Sequence, residues 1–116
     1  MEREIKQILL VEDDFGHAEL IRRSFQSKAS HMKVTVARSL RDAQTAVSQF
    51  PPDLAIVDLL LPDGKGIEFL AMTGENAPYP VIIMTSHGDE QIAVEAIKAG
   101  ALDYVVKSEV TLLEMP

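Results

Sequence analysis

The chain reads as an α/β fold: a doubly wound, five-stranded parallel sheet with helices on both faces. Two observations predict it. Apolar runs of four or five residues alternate with longer segments whose apolar residues recur at helical spacing. Most of these runs are apolar at consecutive positions, as strands buried on both faces must be. Right-handed crossovers through the intervening helices then lay helices on each side of the sheet. The strand order that fits is 2-1-3-4-5, the flavodoxin-like arrangement. At 116 residues the chain is of ordinary single-domain size, so residues 1–116 are expected to share one core.

The elements follow in order. Residues 5–11, with the run Ile8-Leu9-Leu10-Val11, form the first strand. Helix 1 occupies about 15–27, with Ala18, Ile21 and Phe25 along one stripe. Val34-Thr35-Val36-Ala37 alternates in polarity, which suits a half-exposed edge strand. Ser39 is placed to cap helix 2, with Asp42 complementing the free N–H groups of the first turn. Leu40, Ala43, Val47 and Phe50 carry that helix to Pro51-Pro52, which forbids extension. Residues 53–58 form the third strand, Pro62–Gly66 a turn, and Ile67–Met72 the start of helix 3, capped by Gly74. Strand 4 is 81–85. Helix 4 carries Ile92, Ala93, Ala96 and Ile97 and stops at Gly100, and strand 5 is 103–107. Only nine residues follow, so a fifth helix would be short or missing, leaving apolar surface near strands 1, 3 and 5 open.

Composition narrows the function. With no cysteine, disulfides, thiolate metal sites and Cys nucleophiles are all excluded, and a cytoplasmic location fits. No apolar stretch approaches the roughly 20 residues that span a bilayer. The charged start Met1-Glu2-Arg3-Glu4 is unlike a signal peptide. A net charge of −7 with scattered basic residues argues against direct binding to nucleic acid or to an anionic membrane.

The ends of the strands carry the chemistry. Glu12 and Asp13 close the first strand, Asp58 the third, Thr85 the fourth and Lys107 the fifth. Ligands of open parallel sheets bind beyond the carboxyl ends, where strand order reverses, here between strands 1 and 3. That gathers three carboxylates. At an effective dielectric of about 20, two like charges about 4 Å apart repel by roughly 4 kcal/mol, so the cluster calls for protonation, a cation or a metal. Mg²⁺ suits it, since that ion takes oxygen ligands from one or two carboxylates plus water or phosphate. Such a set can bind a hard cation and accept a phosphoryl group. Singly, each residue has a duller reading: Asp14 and Asp63 as caps, Thr85 as a strand-end hydroxyl, Lys107 as a solvated tail, Tyr104 as a half-buried strand aromatic.

The joint order resembles the receiver domain of two-component response regulators, over essentially the whole chain. The stretches that carry the resemblance are Ile8–Asp14, Asp58–Gly64, Met84-Thr85-Ser86 and Ala99–Lys107. It implies Asp58 as phosphoacceptor, with Glu12, Asp13, Asp58 and the Leu60 backbone carbonyl as ligands of Mg²⁺. Thr85 and Lys107 match residues that contact the phosphoryl oxygens, and Thr85 and Tyr104 match the switch pair. Leu60 and His87 match positions that flank the approach of hydrolytic water. The expected partners are a sensor histidine kinase or histidine phosphotransfer protein, and then a second copy of the chain or a downstream output domain or protein. The chain would catalyse only its own phosphorylation. Where the family has proline, Ser108 follows Lys107; a cis bond to a non-proline residue costs roughly 2.5–4 kcal/mol, so a trans peptide with a shifted loop is expected. Three rivals fit less well. A phosphohydrolase with an aspartyl nucleophile would want a second Asp where Leu60 stands. A nucleotide- or flavin-binding module would not place Glu12-Asp13-Asp14 against a phosphate. A pure interaction module would not need the constellation.

Overall fold

Strand β1 (Gln7–Val11) lies inside the sheet, hydrogen-bonded on both edges. The remaining elements are α1 (Phe15–Lys28), β2 (Lys33–Ala37), α2 (Leu40–Gln49), β3 (Leu54–Asp58), β4 (Leu60–Leu61), β5 (Gly64–Lys65), α3 (Gly66–Thr73), β6 (Val81–Thr85), α4 (Glu90–Lys98) and β7 (Asp103–Val106). The structure is a computed structural model and describes residues 6–28, 32–73, 79–85 and 90–106. Its five-stranded sheet is parallel throughout, in the order β2-β1-β3-β6-β7. This is the 2-1-3-4-5 order expected, once the small hairpin β4–β5 is set aside.

Alternation along each strand explains why the strands are apolar on both faces. Ile8 and Leu10 point one way, joining Ala18, Ile21 and Phe25 of α1 with Ile56 and Met84. Leu9 and Val11 point the other way, into a larger core with Leu40 and Ala43 of α2, Phe69 and Leu70 of α3, and Ala96 of α4. The α1 stripe read from the sequence is thus the face that packs, as are Leu40 and Ala43 of α2 and Ala96 of α4, whereas Ile97 of the α4 stripe is exposed. At roughly 25 cal/mol for each Å² of apolar surface removed from water, this two-sided burial is the main stabilising contribution.

Local signals set the helix ends. Ser39 Oγ accepts a hydrogen bond from the Asp42 amide at 3.0 Å, the capping read from the sequence. Asp14 does the same for α1, its Oδ1 accepting from the His17 amide at 2.9 Å. After α4, Gly100 takes a positive φ of 116°, a conformation that favours glycine and turns the chain toward β7.

Some expectations need correction. Phe50 does not continue the apolar stripe of α2: it is the C-cap, with extended backbone, and is 72% exposed. Pro51 requires an extended residue before it, which swings the ring off the helix. The turn after Asp58 contains the antiparallel pair β4–β5, with Leu60 opposite Lys65 and Leu61 opposite Gly64. Helix α3 begins at Gly66 and α2 ends at Gln49. The apolar face near β1, β3 and β7 is not open at Ile8, Leu10, Ile56 or Met84, all buried, while Leu54 and Val105 are half-buried. Gly74, Lys107 and the stretch expected to hold a short fifth helix lie outside the described residues.

Candidate functional site

Register brings the acidic residues together. Val11 pairs with Val57 across β1 and β3, so Glu12 and Asp58 each stand one residue beyond and reach the same level of the sheet. The Glu12 amide donates to the Ala37 carbonyl at 2.9 Å, carrying the β1–β2 ladder one step past the strand. Glu12 and Asp58 are buried, whereas Asp13 is exposed. One carboxylate oxygen from each of the three lies within 4.8 Å of the others. The Glu12 carboxylate also accepts from the Asp14 amide at 3.0 Å, which orients it.

An all-oxygen, carboxylate-rich donor set of this kind fits a hard divalent cation and not a soft one. Burial of two of the three acids makes a bound cation more valuable, because their mutual repulsion is poorly screened there.

Thr85 closes β6, one residue beyond the pairing of Asp58 with Met84. It is buried, and its hydroxyl is 3.5 Å from the Val105 carbonyl, the outer limit of a hydrogen bond. Tyr104 pairs with Ile83 on the adjacent strand and is half-buried against the larger core. Thr85 and Ile83 share a face by strand alternation, so Thr85 and Tyr104 stand on the same side of the sheet. Leu60 sits on β4, two residues past Asp58, and is 54% exposed. Lys107, Ser86, His87 and Ser108 lie outside the described residues.

The loop after Asp58 holds features that sequence reading missed. Its two ends are tied: the Leu59 amide donates to the Met84 carbonyl at 2.8 Å, and the Gly66 amide to the Leu59 carbonyl at 2.7 Å. A Cβ on Gly66 would overlap the Asp58 carbonyl oxygen and come within 3.1 Å of the Asp58 carbonyl carbon and 3.2 Å of Leu59 Cα. At the tip, Asp63 was expected to be a cap, and it is one, but of a helix earlier in the chain. Its carboxylate accepts from the Leu40 amide at 2.9 Å and the Arg41 amide at 3.0 Å. Those hydrogen bonds, Leu40 first, hold the Asp63 carboxyl below the ordinary aspartate range. Nothing in the local sequence signals a cap at such separation. Beside the acidic end, Phe15 is exposed with the Arg38 guanidinium 5.6 Å from its ring centre.

Comparison with known proteins gives the family and supports the fold. A family model described as the response regulator receiver domain matches residues 8–114. The methanogenesis regulatory protein FilR1 of Methanothrix harundinacea is 41% identical over 114 residues, covering 94% of this chain and 25% of that protein. The KDP operon transcriptional regulatory protein KdpE of Escherichia coli is 34% identical over 100 residues, covering 86% of this chain and 44% of that one. The chain therefore spans only part of the length of these relatives. Among solved structures, the signal receiver domain of a protein assigned as a LuxO repressor, from Vibrio parahaemolyticus, superposes with a TM-score of 0.80 at 33% identity. That match covers 90% of this chain and 79% of the other. A response regulator structure from Chloroflexus aurantiacus gives 0.82 at 25% identity, covering 95% and 93%.

Proposed function

Because the chain belongs to the response regulator receiver domain family, we propose that Asp58 accepts a phosphoryl group from a histidine kinase or histidine phosphotransfer protein. The observation that carries this reading is the convergence of Glu12, Asp13 and Asp58 oxygens within 4.8 Å at the ends of β1 and β3. Convergent carboxylates on a carboxyl-terminal sheet edge suit an aspartyl nucleophile beside a cation site.

In the transfer, an Asp58 carboxylate oxygen attacks phosphorus in line. The new O–P bond forms as the P–N bond to the donor imidazole breaks, and the departing nitrogen keeps the electron pair. The transition state spreads charge over three phosphoryl oxygens, so positioning and electrostatics supply most of the catalysis. Glu12, Asp13, Asp58 and the Leu60 backbone carbonyl would hold Mg²⁺. When bound, that ion would neutralise charge on the acids and on the phosphoryl oxygens. Lys107 and the Thr85 hydroxyl would contact the remaining oxygens. For Thr85 this costs little, since its present contact to Val105 is at the edge of hydrogen-bond range.

Phosphorylation adds about −1.5 to −2 charges at a buried position. Thr85 turning toward that charge would leave room beside β7 into which Tyr104 can move, repacking the β6–β7 face as the signal. The receiver of that signal would be an output domain, a downstream protein or a second copy of the chain. On this reading the chain catalyses its own phosphorylation and has no separate turnover substrate. Among the described residues no helix is long and apolar enough to cross a membrane, and we place the protein's work in the cytoplasm.

The test is labelling with a small phosphodonor and Mg²⁺, read by intact mass. One phosphoryl group is expected on wild type and none on Asp58→Asn or in excess chelator. Equal labelling of Asp58→Asn would refute the assignment.

A further inference from the structure

The Leu60 carbonyl is a backbone group, so no rotamer change can aim it; only the course of the 59–66 loop can. That loop is a hairpin, β4 and β5 pairing Leu60 with Lys65 around a Pro62-Asp63 tip. Its base is bonded to Met84 through Leu59 and closed by the Gly66 amide. Its tip is bonded to α2 through Asp63, at 2.9 Å to the Leu40 amide and 3.0 Å to the Arg41 amide. The N-terminal end of α2 is in turn joined to the other wall of the site. The Ala37 carbonyl, three residues before Leu40, accepts from the Glu12 amide at 2.9 Å. A continuous strut therefore runs from Glu12 through residues 37–41 to Asp63 and back along the hairpin to Leu60.

We propose that Asp63 is a positioning residue for the cation site, fixing the hairpin that carries the Leu60 carbonyl at a set distance from Glu12. This rests on the reading that Glu12, Asp13, Asp58 and the Leu60 carbonyl bind Mg²⁺. Asp63 itself is spent on two amides of α2 and acts through the backbone. The helix does not need it for its remaining first-turn amide, since Asp42 is already capped by Ser39. The division of labour allows the two kinds of cap to be separated. Losing the Ser39 hydroxyl should weaken α2 alone, whereas losing the Asp63 carboxylate should also release the hairpin.

The experiment is Mg²⁺ titration by calorimetry at neutral pH on folded wild type, Asp63→Ala, Asp63→Asn and Ser39→Ala, with circular dichroism as the check of folding. Partners that orient metal ligands typically matter by ten- to a hundredfold in affinity; acting through backbone, Asp63→Ala should lose roughly tenfold. Asp63→Asn removes the same charge but keeps an acceptor oxygen, so it should bind more tightly than Asp63→Ala. Ser39→Ala should bind like wild type although it melts earlier. Equal weakening in Asn and Ala variants would assign the effect to charge and overturn the proposal. So would wild-type affinity in Asp63→Ala, or an equal loss in Ser39→Ala. If Asp63→Ala does not fold, Asp63→Ser, whose hydroxyl is too short to span both amides, takes its place in the same ranking. Labelling of Asp58→Asn, measured in parallel, separates a failure of the acceptor reading from a failure of this one: it bears on Asp58 and leaves the Mg²⁺ ranking untouched.

Discussion

Gly66 lies so close to Asp58 that a single added methyl group would overlap the Asp58 carbonyl oxygen. The obstacle is backbone, so it cannot swing aside as a side chain could. Gly66→Ala should therefore displace the segment that carries Asp58. Overpacking of this kind costs about 1–3 kcal/mol, and misplacing a reacting group by about 1 Å can slow chemistry by up to a hundredfold. We expect a lower melting temperature together with at least tenfold slower labelling of the folded protein. Normal labelling kinetics would show that the loop yields without moving Asp58.

Neighbouring aspartates should separate by role. Asp13 contributes an oxygen to the acidic group, whereas Asp14 caps α1 through the His17 amide. Asp13→Asn should weaken Mg²⁺ binding clearly, while Asp14→Asn, which keeps a capping oxygen, should leave it near wild type. A titration in which Asp14→Asn is the weaker binder would reverse the assignment.

Acid should unfasten the hairpin from α2. The Asp63 carboxyl titrates below its ordinary value of about 3.9 because its charged form accepts the Leu40 and Arg41 amides. A depressed carboxyl stabilises the fold above its unfolded value and loses that contribution as pH falls through the folded value. The stability difference between wild type and Asp63→Asn should be constant from about pH 7 to 5 and shrink below about pH 4. Denaturant melts at each pH would decide; a difference that grows on acidification contradicts the sign.

Leu60 is 54% exposed, two residues past Asp58, and its side chain cannot orient a water molecule. Leu60→Asn should change the lifetime of the phosphorylated protein by several-fold, and Leu60→Met should not. Matching decay rates in all three proteins would mean that water access is controlled elsewhere.

Tyr79 presents a different kind of opportunity. Its hydroxyl is buried, with no hydrogen-bond partner among the described residues, and its ring packs 6.5 Å from that of Phe69. Burial pushes the phenol pKa up. An unsatisfied buried polar group costs about 1–3 kcal/mol, so Tyr79→Phe should raise the melting temperature. A lower melting temperature would reveal a partner for the hydroxyl.

Much of this was legible before any coordinates. Ile8–Val11 and Ala55–Val57 are apolar on both faces, as strands of a covered parallel sheet are, and Ser39 and Asp42 sit at capping spacing. Glu12, Asp13 and Asp58 could be placed together because strand ends share one edge of a parallel sheet. What escaped was whatever depends on tertiary approach. The β4–β5 pair is too short to show a period. Phe50 fits the spacing of α2 yet is turned out by the proline that follows it. Asp63 looks like any loop aspartate until the helix 22 residues before it folds back against it. Asp53 is another such case, holding the Lys6 and Gln7 amides at 3.0 and 2.9 Å across the start of β1.

The placement of Glu12 just past the end of β1 and of Asp58 at the end of β3 has a consequence in time. Both strands are bonded along two edges, β1 by β2 and β3, and β3 by β1 and β6. Local opening of a folded protein begins where such flanking is absent, at edge strands, frayed helix ends and loops. A fluctuation that frees β2 or β7 still leaves the acidic pair mounted on its two inner strands. The backbone under Glu12 and Asp58 should therefore exchange its amide hydrogens among the slowest in the molecule, while the edge strands and loops around it open and close many times.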